Sequence, residues 1–321
     1  MKFNKIVTIG IGESKLDENY WRKIDTLAEK RISLPKDSPE IKKQLEDADC
    51  VLVNPFVFKL DKSLIDLAKK LKFIGVLATS YNAVDFEYAA KKGIVVCNIP
   101  GYSTEAVAEL AFAVILNHIR GLDKAKAQIK AGNYSEPAFS NCHEIKSKKF
   151  GIIGLGSIGS RIAEIALAFG ADVYYWSRNR KKDIEKKGIK YQEIEKLLSE
   201  CDFISINLAL TKETECFMNV AFMDKIKTGA VFINLAPNEL VDIKALENRL
   251  KKGDITYIFD HCDELTTEQA NQLSKYKNCI IYPPIGFQTE EARVAKQEIF
   301  VENIVSFLNG VPINKVYLFS S

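Results

Sequence analysis

The stretch KFGIIGLGSIGSRIAEIALAFG, residues 149–170, decides the fold. It opens with an apolar run that reads as a strand and closes in an amphipathic pattern that reads as a helix. Gly154-x-Gly156-x-x-Gly159 lies between the two. At such a junction each glycine has a mechanical task. Gly154 permits the tight turn, Gly156 lets a pyrophosphate approach the backbone, and Gly159 lets the helix pack closely on the strand. The helix start adds unpaired N–H groups and the positive end of its dipole. A GxGxxG alone is weak, but set between a strand and a helix it signals dinucleotide binding.

The next strand, DVYYWSRNR (residues 172–180), bears on which dinucleotide is held. An NAD site usually ends this strand in Asp or Glu, which accepts hydrogen bonds from the adenosine ribose hydroxyls. Here Ser177 takes that place, followed by Arg178 and Arg180. A hydroxyl and guanidinium groups suit a 2′-phosphate that a carboxylate would repel. NADP(H) is therefore favoured, with NAD(H) as the other possibility. The competing view of the two arginines is a solvated basic loop.

Working outward, β-rich runs alternate with helical patterns, the signature of parallel α/β architecture. KIVTIG (5–10), CVLVNP (50–55), FIGVLA (73–78) and IVVCNI (94–99) read as strands. Residues 34–48 and 61–71 read as charged helical stretches between them, and AVAELAFAVILNHI (106–119) as a long buried helix. A polar segment without clear periodicity fills 130–149. A second series then follows, with strands expected within 149–156, 171–178, 202–210, 230–236, 256–260 and 279–284. Helices are expected at 157–170 and 191–200 among them.

A chain of 321 residues is long for one core, so two domains are expected. The net charge of +3 comes from 45 basic and 42 acidic residues that are interspersed, which argues against nucleic acid or an anionic membrane surface as partner. The N-terminal apolar run is broken by Gly10 and Gly12 and reads as no signal peptide; no segment reads as a membrane span. The cysteines at 50, 97, 142, 201, 216, 262 and 279 form no C-x-x-C pair. They read as reduced thiols in a cytoplasm, without a disulfide framework or metal site.

Several motifs together resemble the D-isomer-specific 2-hydroxyacid dehydrogenase family over nearly the whole chain. VLATSYNAVDFEYAAKKGIVVCNIPGYSTEAVAEL (76–110) is similar to its substrate-domain signature, nearest the hydroxypyruvate reductase or glycerate dehydrogenase branch. The glycine motif, NLALTKETECFMN (207–219), FINLAPNELVDIKAL (232–246), YPPIGFQTEEA (282–292) and VENIVSFLNGVPINKV (301–316) resemble its later segments in order. The resemblance implies two Rossmann-like domains with parallel sheets and the active site in an interdomain cleft. Residues 1–100 with 290–321 would form a flavodoxin-like substrate (lid) domain, and 101–289 an NAD(P)-binding Rossmann domain. It further implies a homodimer and a small-molecule substrate.

Carried over by position, Ser157 and Ile158 would lie at the pyrophosphate, and Ser177 and Arg178 at the adenosine ribose. Leu208, Ala209, Thr214, Leu235 and Ala236 would line the cofactor groove, with Asp260 near the nicotinamide carboxamide. The loop Ala78-Thr79-Ser80 would offer backbone amides to a substrate carboxylate, although Ala78 and Ser80 stand where the family has glycine.

The family's chemistry needs a base for the hydroxyl proton, a carboxylate to orient it, and a guanidinium to clamp the substrate carboxylate. The family uses His, Glu and Arg. Aligned on neighbouring motif residues, the arginine position is Pro237, the glutamate position Leu265 and the histidine position Pro284. Proline neither carries a proton nor clamps an anion. Glu264, one residue early, and His261 are the candidate replacements. Strand alternation predicts that His261 points away from Asp260. His118 and His143 read as structural, Tyr81, Asn82, Asn238 and Gln288 as polar contacts, and Cys262 as a nucleophile only in an electropositive setting.

The expected function is an NAD(P)-dependent oxidoreductase with an atypical centre, moving hydride between NADP(H) and a small hydroxy or keto compound. The alternative is a catalytically inactive dinucleotide-binding sensor or interaction protein.

Overall fold

The computed structural model describes residues 1–135 and 142–316. The expectation for the segment 130–149 thus falls partly on residues 136–141, and that for the C-terminal domain partly on 317–321; both stretches lie outside the described residues. The chain divides into two compact units, Met1–Tyr102 with the chain from Thr289 onward, and Ser103–Gln288.

The first unit holds five strands: β1 (Phe3–Ile9), β2 (Ala28–Leu34), β3 (Cys50–Val53), β4 (Phe73–Val76) and β5 (Val95–Cys97). All pair parallel in the order β2-β1-β3-β4-β5, which is the flavodoxin-like arrangement. Strands β3 and β4 are buried at every residue, as expected where helices cover both faces of a parallel sheet. One cover is the helix Glu290–Leu308, which inserts Phe300, Val301 and Ile304 among Phe3, Ile6, Leu52 and Phe73. Thr289 caps that helix by accepting from the Ala292 N–H at 3.1 Å.

The second unit holds seven strands: β6 (Lys149–Ile153), β7 (Asp172–Trp176), β8 (Lys190–Tyr191), β9 (Phe203–Ile206), β10 (Val231–Asn234), β11 (Thr256–Phe259) and β12 (Cys279–Ile281). Their order, β12-β11-β10-β9-β6-β7-β8, is parallel throughout and reverses direction at β6. Ligands of such sheets bind at the carboxyl ends of the strands beside that reversal. The helix Thr104–Arg120 buries Ala108, Ala111, Phe112 and Ile115 in the core shared with Ile162, Ala163 and Ala166 of the helix Ser157–Ala168.

The α/β architecture with two parallel, Rossmann-like units is therefore as expected. Two strands were not anticipated. AEKRISL of β2 carries three charges, and β8 is only two residues long; both are sheet edges, where one side of the strand faces solvent and the apolar signal is weak. The helical stretch expected over 34–48 shrinks to Ile41–Leu45, because Pro35 and Pro39 oppose helix before it. Among the described residues no helix is long and apolar enough to cross a membrane.

Candidate functional site

The glycine turn follows β6 at the reversal point. Gly154 has φ +93° and donates its N–H to the Trp176 carbonyl at 2.8 Å, which ties the turn to the end of β7. A Cβ there would stand 2.8 Å from the Asn207 carbonyl oxygen, so only glycine fits. A Cβ on Gly159 would stand 2.1 Å from the Gly154 carbonyl oxygen. Gly156 differs from both: it is exposed, and an added Cβ would meet nothing within 4 Å. No side chain caps the helix that begins at Ser157, and its first internal bond runs from the Ser160 N–H to the Gly156 carbonyl. The N–H groups at Ser157, Ile158 and Gly159 are thus open to an anion. A bare glycine facing open space and an uncapped helix start together fit a dinucleotide pyrophosphate.

Beyond β7, Ser177 is buried and donates its hydroxyl to the Asn179 carbonyl at 2.6 Å. Arg178 reaches into solvent and donates to Glu213 at 2.8 Å. Arg180 is held differently, by two bonds of 2.7 and 2.9 Å to Glu185. That contact and the Tyr175 hydroxyl hold the Glu185 carboxyl down at about 2. On the other side of β6, Leu208 lines the turn, since its Cδ2 would lie 2.9 Å from a Cβ on Gly154. Thr214 donates its hydroxyl to the Ala209 carbonyl at 2.7 Å, which closes the loop after β9. Leu235 is buried, and Ala236 donates its N–H to Asn234 Oδ1 at 3.0 Å at the end of β10.

The segments expected to hold the family's catalytic positions meet around Asp260 and Glu264. Its carboxylate is wholly buried; Oδ2 accepts from the Gly286 N–H at 2.7 Å, and Oδ1 lies 2.6 Å from His261 Nδ1. The expectation that His261 points away from Asp260 is thus corrected. Strand β11 ends at Phe259, and the backbone bends at His261 (φ −110°, ψ 52°), so alternation no longer governs the pair. Burial pulls the His261 pKa down, but the hydrogen bond and charge of Asp260, with Glu264 and Asp263 adding, outweigh it and hold it above the ordinary imidazole value.

Glu264 accepts from the Asn238 N–H at 2.6 Å, beside Pro237. Burial of its inner end raises its pKa, opposed by that N–H and by His261. Leu265 turns inward and packs on the apolar core of the second unit. Pro284 offers only its carbonyl, to Gln288 Nε2 at 2.6 Å. His261, Glu264, Pro237 and Pro284 are therefore all tied to one neighbourhood by contacts among residues 237–288.

The loop Ala78-Thr79-Ser80 belongs to the first unit. Thr79 donates its hydroxyl to the Ile99 carbonyl at 2.9 Å, and Asn98 Nδ2 donates to the Thr79 carbonyl at 2.7 Å. The backbone N–H groups of Thr79 and Ser80 donate to no acceptor among the described residues. Reading the sequence missed Glu213 and the Asn238 N–H as partners. Each lies far along the chain from the residue it meets, and no local pattern marks it.

The sequence pattern of the D-isomer specific 2-hydroxyacid dehydrogenase NAD binding domain matches residues 112–286. A glyoxylate reductase of Thermococcus litoralis is 37% identical over 273 residues, covering 83% of this chain and 82% of that protein. The D-lactate dehydrogenase of Aquifex aeolicus, solved with NAD and lactic acid, superposes with a TM-score of 0.82 at 27% identity, covering 95% of this chain and 96% of the other. An acyclic imino acid reductase solved with NADPH and D-Arg superposes with a TM-score of 0.84 at 28% identity, covering 97% of this chain and all of the other. With a glycine turn at the sheet reversal, a match over more than half its length and relatives of this likeness, the chain belongs to the D-isomer specific 2-hydroxyacid dehydrogenase family.

Proposed function

We propose that this chain is an NADP(H)-dependent oxidoreductase acting on a small 2-oxo or 2-hydroxy compound, with a proton carrier moved from position 284 to His261. The observation that carries the reading is the buried Asp260 carboxylate, fixed by the Gly286 N–H on one oxygen and holding His261 Nδ1 on the other. A carboxylate behind an imidazole fixes its tautomer and leaves Nε2 for proton exchange. Glu264, anchored on the Asn238 N–H, adds negative charge that favours the imidazolium. Gly156, Ser157, Ile158 and Gly159 would hold the pyrophosphate, and Arg178 the 2′-phosphate. The bound nicotinamide supplies or accepts the hydride. In the first unit, the backbone N–H groups of Thr79 and Ser80 meet no acceptor among the described residues and are open to a carboxylate. The reading includes a homodimer working in the cytoplasm.

The test is NADPH oxidation with glyoxylate, hydroxypyruvate and related 2-oxo acids. Turnover that falls about 10²- to 10⁴-fold in His261→Gln, with NADPH affinity retained, supports the reading. Tight NADPH binding without turnover on any substrate leaves only a binding protein.

A second reading has a C=N substrate. An iminium carries its proton before hydride arrives, so Pro284 costs it little, and the carboxylates around Asp260 favour a cation. The imino acid reductase likeness adds to this. NADPH oxidation with a 2-oxo acid that appears only when an amine is added, and survives His261→Gln, selects it.

A further inference from the structure

The exposed ion pair beyond β7 bears on which dinucleotide the chain accepts. Strands β7 and β9 flank β6 on opposite sides, so the turns that follow them stand on either side of the glycine turn. Arg178 projects from the first turn and Glu213 from the second, and the two meet at 2.8 Å across the carboxyl edge of β6. Their side chains are 80% and 75% exposed, so the contact itself is weakly held.

Both turns are pinned. The first is held by Ser177 donating to the Asn179 carbonyl, and by Tyr175, which donates to Glu185 and accepts from the Lys181 N–H at 2.7 Å. The second is held by Thr214, whose hydroxyl donates to the Ala209 carbonyl and accepts from the Thr211 N–H at 2.8 Å. Arg180 is engaged by Glu185, which leaves Arg178 as the cation on the exposed pair. The carboxylate that NAD sites usually carry at the end of the second strand is absent at Ser177. Glu213 brings a carboxylate to the same place from across the sheet.

We infer that Glu213 is the residue that sets dinucleotide preference, by neutralising Arg178 and by accepting from ribose hydroxyls when no 2′-phosphate is present. This rests on the reading of the glycine turn as an NAD(P)(H) site. A 2′-phosphate must part the pair and then lie beside the Glu213 carboxylate, whereas two ribose hydroxyls need not. The chain therefore takes both cofactors, with the NADP(H) advantage of Arg178 held in check.

Calorimetric titration of the full chain with NADPH and with NADH tests this without relying on turnover. Glu213→Gln is expected to tighten NADPH about two- to fivefold, the range of an exposed charge contact, and to leave NADH unchanged or weaker. Arg178→Ala is expected to weaken NADPH about tenfold or more while sparing NADH. In the double variant the gain from Glu213→Gln shrinks, because there is no arginine left to release and only the carboxylate's repulsion of the 2′-phosphate is relieved. Equal changes for both cofactors in Glu213→Gln, or a gain just as large without Arg178, overturn the inference while leaving the cofactor site standing. Failure of the wild-type chain to bind either cofactor overturns the site itself, and the inference with it.

Discussion

Gly286 gives its backbone N–H to the Asp260 carboxylate at 2.7 Å, and a Cβ placed on Gly286 would stand 2.7 Å from that same oxygen. Close approach of backbone to a wholly buried carboxylate explains why a glycine follows Pro284-Ile285. It also makes Gly286 a positioning residue for His261, acting through Asp260.

Gly286→Ala should displace the carboxylate and cost about 1–3 kcal/mol of stability by overpacking. Denaturant unfolding reads that cost. NMR titration of His261 in the same variant should show its pKa falling back toward the ordinary value; an unchanged His261 pKa would separate the two residues.

The raised His261 pKa sets a pH window. Its imidazolium is favoured in the folded chain, so its stabilisation is fully present below the unfolded value of about 6.5 and is lost as pH rises through the higher folded value. Stability measured across that interval should decline in the wild type and lose this part of the slope in His261→Gln. Under the proposed role, kcat/KM for 2-oxo acid reduction falls over the same interval as the donor deprotonates.

The glycines of the turn separate folding from binding. Gly156→Ala adds a methyl that meets no protein atom, at a φ of −81° that alanine accepts, so stability should stay within about 0.5 kcal/mol. NADPH binding should nonetheless weaken at least about tenfold, since the methyl occupies the approach to the uncapped helix start. Calorimetry beside thermal unfolding checks the pair of expectations.

Gly159→Ala should do the reverse. Its methyl would drive into the Gly154 carbonyl oxygen, so a loss of about 1–3 kcal/mol in stability is expected even without cofactor. An unchanged melting temperature would mean that helix and strand part freely at this point.

Much of the architecture could be read from local pattern. The fully buried strands β3, β4, β9 and β10 are short apolar runs between turn residues, and the Gly154–Gly159 spacing marks the reversal of the second sheet. The edge strands β2 and β8 escaped because one is charged toward solvent and the other is two residues long. The contact of His261 with Asp260 was missed because alternation holds only within a strand, and β11 stops at Phe259. The contacts that shape the site, Arg178 with Glu213 and Glu264 with the Asn238 N–H, join residues 35 and 26 positions apart. No period or propensity encodes such meetings; only the folded path brings them about.

The first unit is written in two pieces, with Phe300, Val301 and Ile304 returning after residue 288 to complete a core begun at Phe3. A ribosome therefore releases the whole second unit before the first has its missing wedge. Severed after Tyr102, the leading fragment would keep Trp21 and Ile24 on that face of its sheet but lose the rest of its cover, whereas the stretch from Ser103 to Gln288 is a continuous cassette with its own core, the piece to excise for expression by itself.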